Sequence, residues 1–202
     1  LAINLLQQIF AFPAPIILAL LLNELQNRKF KRLTQTISYL PHFVSWVIYA
    51  GIIIRILHPD GVINDLLMTT GLIKERVFFL GKKEYFWFIA VFSGIAKSVG
   101  WSSIIYLAAI SGIDQQLYDS AYVDGANRFQ RMWYITLPSI SPTIIILLIL
   151  NISYLLNTGF DQIWMLQNPL NLEMSDTIEI YVYKTGLEYS RFSYATAVGL
   201  SQ

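Results

Sequence analysis

The residues best suited to chemistry lie between Asp114 and Pro142, in the stretch DQQLYDSAYVDGANRFQRMWYITLPSISP. The carboxylates of Asp119 and Asp124 stand there among aromatic side chains that include Tyr118, Tyr122, Phe129 and Trp133, and beside Ala121, Gly125 and Ala126. That mixture suits recognition rather than bond making. Aromatic rings supply anchor area against another protein, a glycine lets backbones approach closely, and the acids can cap helices or pair with basic groups. Bond-making constellations are missing: there is no Walker A phosphate loop, no Gly-x-Ser-x-Gly and no His-Glu-x-x-His. The chain contains no Cys, which excludes thiolate catalysis, disulfides and Cys-based metal sites. His42 and His58 stand at opposite ends of one apolar run, too far apart on a helix for a metal pair. The expectation is a chain with no catalytic residues, no metal and no cofactor of its own.

The stretch can position these residues by itself. Asp114 can N-cap a short helix that carries Leu117, Tyr118, Ala121 and Tyr122 on one face. Asp124-Gly125 reads as a turn. Asn127 can cap a second helix, with Gln130 three residues on completing a capping box. Phe129, Met132, Trp133 and Leu137 are then expected on one side. Pro138 and Pro142 stop or kink that helix as it meets the next apolar run. The predicted unit is a helical hairpin, 114–138, on a membrane surface.

The rest of the chain supplies that membrane context. Its 202 residues are 55% hydrophobic and only 13% charged, with mean hydropathy +0.51, where a soluble domain carries about 25% charged residues. Net charge is +1, which gives no electrostatic case for nucleic acid. Apolar runs at 3–22, 41–57, 86–110 and 140–156 approach the ~20 residues that cross a bilayer, and a fifth begins at 192. Pro13 and Pro15 interrupt the first, as membrane helices tolerate. The predicted fold class is all-α: one polytopic transmembrane domain over 1–202. Leu1 is not an initiator Met and Gln202 ends inside an apolar run, so the expectation is a fragment lacking terminal helices.

Several residues within or beside the spans could line a path. Phe43, Trp46 and Tyr49 recur every three residues, a stripe that either stacks on sugar rings or packs against lipid and protein. Lys97 falls mid-span, where a charge costs about 2.5–3.5 kcal/mol, so it either lines the path or pairs with a partner subunit or backbone carbonyl. Asn151, Tyr154 and Asn157 form a hydrogen-bonding and stacking surface for solute or for a neighbouring helix. Ser93, Gly94, Ser98, Gly100, Ser102 and Ser103 permit close helix packing. In the outer loops, 62–67 is predicted as a short surface helix. Asp176 with Glu179 is predicted to start another, whose apolar face (Ile178, Tyr181, Val182) lies in the interface plane or docks a partner. The four basic residues Arg28, Lys29, Lys31 and Arg32 place their loop in the cytoplasm. The outer loops hold as many Lys and Arg in total, so that orientation rests on this one loop.

The 114–138 stretch resembles the EAA motif of permease subunits in binding-protein-dependent ATP-binding-cassette importers. Asp119-Ser120-Ala121 stands where the family has Glu-Ala-Ala, and Asp124-Gly125-Ala126 matches outright. Leu137-Pro138 follows at the family distance, nineteen residues from Asp119 to Pro138. The resemblance implies a type I, maltose-type permease fold in a bacterial cytoplasmic membrane, with the hairpin as a cytoplasmic coupling helix. Its interface residues would be Tyr118, Asp119, Ala121, Tyr122, Asp124, Gly125, Ala126, Phe129, Trp133 and Pro138. It implies four kinds of partner: a homologous second permease, two cytoplasmic ATPase subunits that bind ATP and Mg, an extracytoplasmic solute-binding protein, and the transported solute. PHFVSWVIYAGI, FDQIWMLQNPL and YVYKTGLEYSRFSYATA are similar to the carbohydrate-uptake branch, most of all to permeases for complex, often uronic-acid-containing, oligosaccharides. The alternatives are the same architecture for polyamine, phosphate or amino acid, or, in another class, a passive channel or membrane enzyme. A membrane enzyme should carry paired acids or a His cluster inside its spans, which here hold no charge apart from Lys97 and the peripheral Arg55.

Overall fold

The computed structural model describes residues 2–153 and 159–200, and among these every regular element is helical. The first apolar run forms α1 (Ala2–Ala11) and α2 (Pro13–Glu24), with Pro13 opening α2, where a missing N–H costs no helical bond. Asn27 caps α3 (Arg28–Tyr39), its side chain accepting from the Lys29 and Phe30 amides at 3.0 and 3.2 Å. A 3-10 turn, Leu40–Phe43, follows. The second apolar run therefore becomes α-helical at Trp46 rather than at Pro41: Ser45 is extended, and its hydroxyl caps α4 (Trp46–Leu57). After the turn at 58–61 the helix resumes as α5 (Val62–Thr69). Next comes α6 (Lys83–Ser111), whose 29 residues reach about 43 Å.

The hairpin and its exit comprise α7 (Gln115–Val123), α8 (Arg128–Arg131), a π-helical turn Met132–Thr136, α9 (Leu137–Ser139) and α10 (Ser141–Ser153). The chain bends by 60° between Arg128–Ser139 and Ser141–Ser153. Beyond the undescribed residues lie α11 (Phe160–Leu166), α12 (Leu172–Ser175), α13 (Ile178–Tyr183), a second π-helical turn Lys184–Glu188, and α14 (Phe192–Leu200). By length and composition, Ile3–Glu24, Trp46–Thr69 and Lys83–Ser111 can each cross a membrane, and the bent pair adds a fourth candidate.

The described residues fall into two compact units. The first takes residues 2–6, 44–94 and 159–200. Its core is Ile3, Ala50, Leu80, Phe86, Ala90, Ile163, Leu166 and Ile180. Two buried asparagines tie its loops. Asn64 donates to the carbonyls of His58 and Val77 and accepts from the Val77 amide. Asn171 donates to the carbonyls of Leu80 and Leu166. The second unit takes 7–43 and 95–153, around Ile16, Ala19, Leu20, Tyr106, Ile110 and Ile140.

The start of α13 differs from the sequence expectation. Thr177, not Asp176, is its cap, with its hydroxyl accepting from the Ile180 amide. Asp176 instead pairs with Lys184 at 3.1 Å. The residue that α13 buries is Ile180, while Ile178 and Tyr181 stay exposed.

Candidate functional site

The hairpin is held by local chemistry at both ends of each helix. The Asp114 carboxylate accepts from the Gln116 amide at 3.0 Å. The Asn127 side chain accepts from the Gln130 amide, and the Gln130 side chain accepts from the Asn127 amide, so the capping box is complete. Between the helices Gly125 has φ +78°, and Ala126 N–H reaches back to the Ala121 carbonyl at 2.9 Å. Asp119 is exposed, with Gln115 Nε2 at 3.5 Å, and Asp124 is the C-cap residue of α7. Across the hairpin, the hydroxyls of Tyr118 and the buried Thr136 share a hydrogen bond of 2.9 Å. Tyr118 is thus half-buried and serves as a latch within the hairpin rather than as an outward anchor.

The second arm does not present the four-residue stripe expected of it. Met132 and Leu137 pack on the second unit's core, whereas Phe129 is 76% and Trp133 61% exposed. Met132 lies about 100° round the helix from its neighbour Trp133, and the π-helical turn at 132–136 shifts the phase of Leu137. Tyr122, Val123 and Tyr134 are also exposed, Val123 by 85%. The Arg131 guanidinium lies 5.9 Å from the Tyr122 ring centre. Ala121, Asp124, Gly125, Ala126, Gln130, Arg131, Tyr134 and Ile135 enclose an open concavity of about 370 Å³. Pro138, in α9, is exposed.

The residues expected to line a path are placed as follows. Trp46 and Tyr49 meet edge to face at 5.6 Å, both half-buried, and the Tyr49 hydroxyl donates to the Ser93 carbonyl at 3.3 Å. Phe43 does not continue their stripe. It sits in the preceding 3-10 turn, its ring edge-on to Trp101 at 5.4 Å, because the chain is not α-helical at 44–45. Lys97 is 7% exposed and donates to the carbonyls of Pro41 and His42 at 3.1 and 3.0 Å. The His42 ring stacks on Trp101 at 4.7 Å. Of the alternatives for Lys97, backbone carbonyls are what its amine meets. Asn151 is exposed and donates to the Leu147 carbonyl one turn back at 2.9 Å. Tyr154 and Asn157 lie outside the described residues.

Residues 11–201 match the family described as binding-protein-dependent transport system inner membrane component. The chain belongs to this family. Among its relatives, Protein LplB of Bacillus subtilis (strain 168) is 48% identical over 197 residues, covering 96% of this chain and 61% of the relative. The polygalacturonan/rhamnogalacturonan transport system permease protein YteP of the same organism is 46% identical over 190 residues, covering 94% of this chain and 59% of the relative. The chain thus spans about 60% of the length of these curated relatives. Among solved structures, a bacterial ABC transporter involved in the import of the acidic polysaccharide alginate matches with TM-score 0.93 and 44% identity, over 98% of this chain and 69% of that one. A second structure of a bacterial alginate ABC transporter, in complex with an alginate pentasaccharide-bound periplasmic protein, matches equally well.

In this inner membrane component, sequence reasoning missed a polar knot in the first unit. Gln162 is buried, its amide donating to the Ala90 carbonyl and, at 3.1 Å, to the Ser93 hydroxyl. Gly94 leaves room for it: a Cβ there would come within 3.3 Å of the Gln162 amide. Only the run of small residues at 93–94 hinted at this close approach. The Lys97 bonds carry a direct prediction. Lys97→Met keeps the side-chain length but leaves the Pro41 and His42 carbonyls without their ammonium donor, at an expected cost of about 1–2 kcal/mol. Thermal unfolding of the solubilised protein should start several degrees lower in Lys97→Met, with Lys97→Arg intermediate. An unchanged melting temperature in the Met variant would show that the bonds contribute nothing.

Proposed function

We propose that this chain is a transmembrane permease subunit of an ATP-driven importer for acidic oligosaccharides in a bacterial cytoplasmic membrane. The observation that carries the proposal is the alginate importer match, at 44% identity over 98% of the chain. The polygalacturonan/rhamnogalacturonan permease relative points to the same substrate chemistry. In this reading the hairpin is the coupling element. Tyr122, Val123, Phe129, Trp133 and Tyr134 offer exposed apolar area that an ATPase cleft can bury, and Gly125 marks the tip. Two cytoplasmic ATPase subunits bind ATP and Mg, a homologous permease completes the pore, and an extracytoplasmic binding protein delivers the sugar. Ile144 and Leu147 of α10 pack on the second unit's core, and its exposed Ile145, Ile146, Ile149 and Leu150 are left for lipid or the second permease. In the first unit, the Trp46–Tyr49 pair is the proposed stacking surface for sugar. In the second, Asn151 is the proposed hydrogen-bonding position, and Tyr154 and Asn157 follow it in sequence.

The test uses the full complex in proteoliposomes, with binding-protein-stimulated ATP hydrolysis measured against oligogalacturonates, alginate oligosaccharides, neutral malto-oligosaccharides and a polyamine. Stimulation by an acidic oligosaccharide and by none of the others is the expected result. Stimulation by the neutral sugar or the polyamine alone would replace the substrate class. Purification without any ATPase subunit would remove the importer reading altogether.

A further inference from the structure

Lys97 brings more to the middle of α6 than its bonds require. Pro41 and His42 lie in the last turn of the helical segment that ends at Phe43, where carbonyls lack amide partners from further along the helix. The Lys97 ammonium donates to both carbonyls, at 3.1 and 3.0 Å. Trp101, one turn further along α6, fixes the same turn: His42 stacks on it at 4.7 Å and Phe43 meets it edge-on at 5.4 Å. Gly100 lies against the Ser38 backbone just before that turn.

Two carbonyls need two donors, not a charge. The side-chain amide of a Gln or Asn supplies two N–H groups without the cost of burying an ion. Carbonyl dipoles hold an ammonium but do not cancel its charge, and the negative pole at the end of residues 28–43 favours a cation there. No Asp or Glu occurs within 1–23, 25–59, 85–113 or 125–160, so the spans of this chain carry no carboxylate to offset Lys97. Because the side chain is buried, dissolved salt screens its charge weakly.

We infer that Lys97 is a charge-selecting residue of the pore, whose fixed positive charge favours passage of carboxylate-bearing sugar over neutral sugar without touching either. The inference rests on the acidic-oligosaccharide reading above. A contact residue has to be exposed to its cargo, whereas a field acts from within the wall. A helix with its side chains is about 10–12 Å across. A path along α6 therefore passes within about 10 Å of the ammonium, and a path one helix removed within about 20 Å. At an effective dielectric constant of about 20, one carboxylate at those two distances is favoured about fifteenfold and about fourfold. Attraction of that size draws an anion in without trapping it.

The test separates the charge from the bonds. Lys97→Gln keeps N–H donors and removes the charge, Lys97→Arg keeps both, and Lys97→Met removes both. Each is compared with wild type in the full complex in proteoliposomes. Uptake of trigalacturonate is measured with the binding protein saturated by sugar, so that delivery does not limit the rate. The expected result is a fall of about four- to fifteenfold in both Gln and Met variants, with uptake near wild type in Arg. The fully methyl-esterified trisaccharide, which carries no charge, should enter at one rate in all four. Where the binding protein does not carry the ester, the ranking on the acid decides alone. Full uptake of the acid in Lys97→Gln beside a fall in Lys97→Met would confine Lys97 to bonding the turn and overturn the inference. An equal fall for acid and ester in Lys97→Gln would overturn it too. If neither neutral variant assembles, wild type itself should take up the acid about four- to fifteenfold faster than the ester, and equal rates would count against charge selection. No uptake of the acid by wild type would remove the substrate reading itself, and this inference with it.

Discussion

Replacing Gly125 by Trp is expected, in the importer proposed above, to abolish binding-protein-stimulated ATP hydrolysis and uptake while the chain itself still folds. Gly125 has φ +78°, and a Cβ there meets nothing within 4 Å, so bulk at this position projects into open space. Within the chain the cost is limited to the left-handed backbone, about 1–2 kcal/mol for a residue with a Cβ. Against a partner seated on the hairpin tip the same bulk is an overpacked contact. Overpacking costs about 1–3 kcal/mol, or about five- to a hundredfold in affinity. Gly125→Asn separates the two effects, since Asn tolerates φ > 0 and adds little volume. The expected order in stimulated hydrolysis is wild type, then Asn close behind, then Trp near the unstimulated level. Full stimulation in the Trp variant would show that nothing seats on this turn.

Gly100→Val is expected to have the largest effect on folding. A Cβ at position 100 would collide with the carbonyl of Ser38, a backbone atom that cannot rotate away as a side chain can. α6 and the last turn of α3 must separate, which loses the close approach. The expected destabilisation is about 3 kcal/mol or more, read as a clear fall in melting temperature and in yield of assembled complex. Gly51 is the control. It also lies inside a helix, α4, but no atom stands within 4 Å of an added Cβ. Gly51→Ala should be neutral or stabilising by about 0.5–1 kcal/mol. Equal behaviour of the two positions would mean that the Gly100–Ser38 contact is not what holds α3 in place.

What could be read from the sequence was the chemistry that acts over a few residues. Asp114, Asn127 with Gln130, and the turn at Gly125 are each specified by neighbours within four positions, and the structure has all three. The all-α class was equally legible, because long uncharged runs leave no other solution in a bilayer. Phase was harder. Phe129 and Trp133 part company with Met132 because the four residues are spread over more than one helix face, and with Leu137 because 3.6-residue periodicity does not survive the intervening π-helical turn. Phe43 parts from Trp46 and Tyr49 because the chain breaks at 44–45. The cap of α13 fell one residue away because Asp176 and Thr177 are both good capping types, and Asp176 has Lys184 as an alternative partner. The partners of Lys97, Asn64, Asn171 and Gln162 were not legible at all. Each reaches a backbone carbonyl far along the chain, and a carbonyl looks the same at every position in a sequence.

The surplus residue at Met132–Thr136 also bears on how the hairpin is aimed relative to the helix that follows it. A π-helical turn holds one more residue than an α-turn. That residue offsets the segments on either side of it by about 100° about the helix axis. The Tyr118–Thr136 hydrogen bond pins this turn at its C-terminal residue, where the chain meets the 60° bend into α10. The side on which the hairpin carries Phe129 and Trp133, relative to α10, is therefore fixed by one residue of chain rather than by any contact at the tip.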